Sequence, residues 1–165
     1  MMLSGRVTDK LLFATLYLIL GVVAVRGAGL ITNYALDVRF YQDFLMPWRA
    51  SLLTMRHQAP AGHGYDGEDP MRYMQTLIRH LQDHGIAYPS SNTDHPFVYR
   101  LGKFGERPQQ ILMVFGRNRL NLYGLPASTF DRLDRLIDRH SDPDGGDLTG
   151  RWSTDQVSRI AQWKL

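Results

Sequence analysis

The chain has 165 residues, 44% of them hydrophobic and 21% charged, which suits one compact domain plus an added segment and excludes global disorder. Lys and Arg number 19 against 16 Asp and Glu, and the resulting net charge of +3 is scattered, without the basic stripe and interleaved aromatics of a nucleic-acid binder. The absence of cysteine excludes disulfides, thiolate nucleophiles, zinc ribbons and iron–sulfur clusters, so the folded part must be held by its core.

Leu11 to Val25 form an unbroken apolar run, LLFATLYLILGVVAV. As a helix this run spans only about 22 Å, against a hydrocarbon layer of about 30 Å. Gly27 to Ile31 extend it to about 21 residues in which Arg26 is the single charge, placed where its long stem can carry the guanidinium to the headgroups. Arg6 and Lys10 precede the segment, and Asp37 is the first acid after it. The positive-inside rule therefore expects a cytoplasmic N-terminus over 1–10, a transmembrane anchor over 11–31 and a C-terminal domain outside the cytoplasm. The competing readings are a cleaved signal peptide, with Val22-Val23-Ala24 as the cleavage tripeptide, and a helix buried in a soluble core. The helical apolar pattern runs on past that tripeptide without a turn-forming cluster, which favours the anchor.

Beyond the anchor, Leu30, Tyr34, Val38, Tyr41, Leu45, Trp48, Leu52 and Met55 recur at helical spacing, predicting an amphipathic stalk over 32–57. Asn33, Asp37, Gln42, Asp43 and Arg49 are assigned to its polar side. Pro47 should kink this helix or begin a second segment, because it lacks a donor and crowds the preceding turn. The stripe serves either to pack the domain's own sheet and helices or to bind another subunit. For the second role Tyr34, Tyr41, Leu45 and Trp48 are the candidate contact residues, since aromatic enrichment suits an interface.

The remaining 58–165 read as an exported α+β domain. Gln58 to Pro70 form a Gly- and Pro-rich loop, and Asp69-Pro70 opens a helix as N-cap and first residue, ended by Gly85. Three strands follow at Phe97–Leu101, Gln110–Phe115 and Arg119–Tyr123, the last two joined as a hairpin through Gly116-Arg117-Asn118. A helix beginning at Pro126 presents Phe130, Leu133, Leu136 and Ile137 inward. Ser141 to Gly150 are expected to form a loop, and Ser153 to Trp163 a short terminal helix. The expected plan is a small three-stranded antiparallel sheet packed against helices.

Candidate chemistry is sparse. His80 and His84 stand at i,i+4 on one helix, a spacing that can bind zinc, with His57, His63 or His95 as possible third ligands; no HExxH glutamate lies between them. An envelope metal enzyme built on this His57–His95 region is the alternative they raise, while solvated surface histidines explain them as well. Asp142, Asp144 and Asp147 surround a Gly turn as carboxylates do in calcium loops, but the full calcium-loop pattern is missing. No nucleophile elbow or phosphate-binding strand-to-helix motif is present, so no cofactor is expected.

A membrane helix continuing as an amphipathic stalk, followed by an antiparallel meander and an acidic C-terminal loop, resembles the layout of type IV pilins and pseudopilins. That resemblance implies a filament subunit. The prepilin mark, a Gly-Phe junction with a Glu five residues into the mature helix, is absent. The function expected from the residues is a non-enzymatic, single-span protein of the inner (cell) membrane in a bacterial envelope. Its periplasmic domain would bind a protein partner or a second copy of itself through the stalk, as an accessory or assembly subunit or an anchored inhibitor. Besides that protein, only membrane lipid is expected as a partner.

Overall fold

A computed structural model describes residues 5–58, 65, 67–140 and 142–165. One helical rod runs from Gly5 into the core: α1 (Gly5–Arg39), a π-helical turn over Phe40–Leu45, and α2 (Met46–Gln58). The π turn has a local cause. Pro47 has no N–H to donate, and its ring would collide with the carbonyl four residues back in a regular α-helix. The wider turn relieves that clash, and Met46 N–H bonds Tyr41 O, five residues earlier. Pro47 thus stands at the start of a second segment, as expected from the sequence.

The remaining elements are α3 (Pro70–Asp83), β1 (Val98–Leu101), β2 (Gln109–Gly116), β3 (Arg119–Pro126), α4 (Ala127–Asp138), β4 (Leu148–Trp152) and β5 (Ser158–Lys164). Asp69 caps α3, its carboxylate accepting the N–H groups of Met71 and Arg72. The β2–β3 hairpin turns through Arg117 and Asn118, both at positive φ, as a two-residue primed turn requires.

The sheet has five antiparallel strands in the order β1-β2-β3-β5-β4, which corrects the expected three. The segment read as a terminal helix, 153–163, is the β4–β5 turn and most of β5, and the end of the expected 141–150 loop is the start of β4. Val157, Ile160, Ala161 and Trp163 mimic helical spacing, yet Ala161 and Trp163 alternate as strand residues and are buried. They face Leu122 and Leu120 across β3 and Gly150 and Leu148 across β4. Gly150 is small because the Phe130 ring of α4 lies on it: a Cβ there would come 2.4 Å from that ring. Beyond Gly150, the Arg159 guanidinium lies between the rings of Phe130 and Trp152, at 4.8 and 4.5 Å.

The registers put Tyr99, Ile111, Met113, Phe115, Leu120, Leu122, Ala161 and Trp163 on one face of the sheet. The rod lies across this face. Phe40 and Phe44 meet the Tyr99 ring at 4.8 and 5.0 Å, and Tyr41 meets Trp163 at 5.9 Å. Trp48 stacks on Tyr88 and donates its indole N–H to Pro96 O. The free edge of β1 is closed by side chains: Asn92 bonds both backbone groups of Arg100, at 2.8 Å each, while Ser91 and Thr93 donate to Val98 O.

Below this domain α1 stands uncovered. It contains an apolar segment long enough to cross a membrane, whose most apolar stretch is not buried by the rest of the chain. Leu11, Leu12, Phe13, Leu18, Val23 and Val25 are all exposed.

Candidate functional site

Where the uncovered helix meets the domain, a buried ion cluster joins three elements. Asp37 of α1 is wholly buried. Its carboxylate receives Thr129 Oγ1–H at 2.9 Å from the first turn of α4 and a short bond from the Arg132 guanidinium of the second. Lys103, from the β1–β2 loop, places Nζ 3.4 Å from Asp37 Oδ2 and donates to Ser128 Oγ at 2.8 Å. A carboxylate taken out of water costs several kcal/mol, roughly, unless it is paired and hydrogen-bonded. Here two cations, a hydroxyl and the positive end of α4 supply that compensation. The cluster holds; nothing in it is poised to react.

One turn toward the N-terminus, Asn33 extends the junction. Its Oδ1 accepts Phe104 N–H at 2.7 Å and its Nδ2 donates to Phe104 O at 3.4 Å. A further turn down, the Phe104 ring lies on Gly29, where a Cβ would come within 2.7 Å of it. Gly29, Asn33 and Asp37 thus form the docking face of α1, four residues apart. The expected polar-face positions Asn33 and Asp37 point into the protein, and the expected apolar positions Leu30 and Tyr34 point out, 65% and 53% exposed. The π turn explains the exchange. One extra residue in the turn shifts the phase of the helix by about 100°, so a stripe read as continuous is out of step on the upstream side.

The candidate partner residues are accordingly separated. Leu45 and Trp48 are fully buried in the domain's core, and Tyr41 is half-buried against Trp163. Tyr34 faces outward at the foot of the domain, with the Arg132 guanidinium 6.0 Å from its ring centroid.

His80 and His84 have their rings 4.2 Å apart, and His84 Nδ1 lies 2.9 Å from the carbonyl of His80 on the same helix. His57 lies in the last turn of α2, His95 stacks on Phe97, and His63 lies outside the described residues. Among the described residues no group of three or more His, Asp or Glu side chains could hold a metal ion. The acidic turn is occupied with its own backbone. Asp142 accepts from Asp144 N–H, and Asp142 N–H in turn donates to Asp134; the N–H groups of Asp147 and Leu148 both donate to Asp138.

Burial pushes the Asp134 carboxyl up; Asp142 N–H opposes this in part, and the neighbouring Asp138 adds to the rise. For Asp138 burial acts upward too, but the N–H groups of Leu148 and Asp147 and the hydrogen bond from Asp134 bring it below the ordinary aspartate value. The backbone N–H groups that these two carboxylates accept, from Asp142, Asp147 and Leu148, tie the acidic turn to α4. A cleft of about 430 Å³ beside the rod is lined by Arg39, Asp43, Tyr99 and Arg100 among others. Arg39 and Asp43 pair at 3.1 Å, and burial raises the Tyr99 phenol further from neutrality. No general base or activated nucleophile stands in that cleft.

Compared with known protein families, curated proteins and solved structures, the chain matches none.

Proposed function

We propose that the protein is a non-enzymatic, single-span membrane protein whose C-terminal domain is carried rigidly at the outer surface of the cell membrane and binds another protein there, as an accessory or assembly subunit. The observation that supports this reading is the junction. An uncovered apolar helix passes without a break into the core of the folded domain and is clamped at Asp37 as it enters. A helix of this kind has its lower half in a low-dielectric phase and its upper half in the sheet. The α-helix is unbroken through Val22-Val23-Ala24, and residues just beyond that tripeptide, Gly29 and Asn33, are part of the domain's packing. Both features favour retention over cleavage.

The partner contact falls to the outward side of α1, where Tyr34 stands exposed beside Leu30 and Ile31. Exposed aromatic and apolar side chains at the emergence of a membrane helix suit a second membrane protein docking alongside. A photoreactive residue in place of Tyr34 tests this in intact membranes. A cross-linked band heavier than the protein, absent when the reactive residue is placed at buried Leu52, supports the reading. No adduct at Tyr34, with the protein folded and in the membrane, would remove the partner from it.

A further inference from the structure

The β1–β2 loop, Gly102 to Gly105, is bent onto the helix in a way the ion cluster alone does not need. Lys103 turns inward to Asp37 and is buried, while Phe104, the next residue, turns outward and is 57% exposed. Its ring rests on Gly29, two residues inside the outer end of the apolar segment, or about 3 Å below that end by the rise of a helix. Leu30 and Ile31, the next two residues in sequence, are 65% and 73% exposed. The loop backbone is held at this depth by the two Asn33 bonds, which satisfy both polar groups of Phe104. A backbone so satisfied can leave water at low cost.

We propose that the Phe104 loop is a second membrane contact. Its aromatic ring seats in the outer interfacial layer of the bilayer, against lipid chains next to Leu30 and Ile31, and sets the orientation of the domain on the membrane. The proposal rests on the anchor reading above. Three features select lipid as the occupant: the ring is continuous with the apolar surface of the span, aromatic side chains favour the interfacial layer, and the adjacent cation is already neutralised inside the protein. Insertion of the ring therefore does not carry Lys103 toward the hydrocarbon as an unpaired charge.

The chain has no cysteine, so a single introduced one reports alone. Full-length Phe104→Cys is spin-labelled and reconstituted in phosphatidylcholine–phosphatidylglycerol vesicles, and its accessibility to oxygen and to an aqueous nickel chelate is measured. Leu20→Cys gives the mid-bilayer reference, and Thr54→Cys, about 35 Å further along the rod than Ile31, gives the aqueous one. Each labelled chain must melt as the unlabelled protein does. The expected result is a label at 104 that the nickel chelate reaches several-fold less than position 54, at a depth between the two references. If position 104 is as open to the chelate as position 54 while position 20 is deep, the loop contact is overturned and the anchor stands. If position 20 is itself open to the chelate, the anchor fails and the loop contact fails with it.

Discussion

Asp37 and Lys103 face each other at 3.4 Å with both side chains removed from solvent, one on the helix that leaves the domain and the other on a loop between strands. Their pairing, with Arg132 completing it, makes the direction of α1 a property of the folded domain. Breaking a buried pair by removing one partner typically costs about 3–5 kcal/mol, because the other charge is left behind. Asp37→Asn should therefore lower the unfolding free energy of the solubilised protein by about that amount. Adding Lys103→Met to the same chain should recover part of the loss, and urea denaturation of the single and double variants measures both.

Gly150 tests the strand that the sequence concealed. A Cβ at this position would enter the Phe130 ring, so Gly150→Ala should destabilise by about 1–3 kcal/mol through overpacking. Phe130→Leu in the Gly150→Ala background should cost less than Phe130→Leu alone, because the two changes relieve each other. Thermal melts of the set decide the point; strict additivity would mean that the ring and the strand do not touch.

Asn92 closes the outer edge of β1 by pairing with both backbone groups of Arg100. Asn92→Ala should cost about 1–2 kcal/mol and leave an unpaired N–H and C=O on an edge strand. Light scattering of the solubilised variant should show more concentration-dependent association than the parent protein under the same conditions.

The carboxyl pair in the acidic turn gives a pH signature. Asp134 titrates above its unfolded value, so the stability it contributes is complete below about pH 4 and is lost as pH rises through its folded pKa. Asp138 titrates below its unfolded value, and its contribution is present above about pH 4 and lost as pH falls further. Asp134→Asn keeps an acceptor for Asp142 N–H and removes the titrating proton. It should raise the melting temperature at pH 7, with the gain shrinking as pH is lowered toward 4. A gain that grows on acidification would contradict the raised Asp134 carboxyl.

Much of this fold was legible because its local signals were strong. Asp69-Pro70 announced α3, the Leu120 and Leu122 alternation announced β3, and the uncharged run from Leu11 announced the exposed helix. What could not be read arose from two causes. The π turn before Pro47 shifted the phase of the rod, so Asn33 and Asp37 of the docking stripe passed for a solvated face, although their spacing of four residues beside an apolar run was there to be noticed. The second cause was tertiary. Gly150 weakens strand propensity and exists for the Phe130 ring, a residue on another element, so no local pattern marks β4.

The mass of the mature chain recovered from alkaline-carbonate-washed membranes tests the central claim most directly. Retention of residues 11–31 in a carbonate-resistant polypeptide is the predicted result. A mature chain that begins at Val25 and leaves the membrane in carbonate would contradict it.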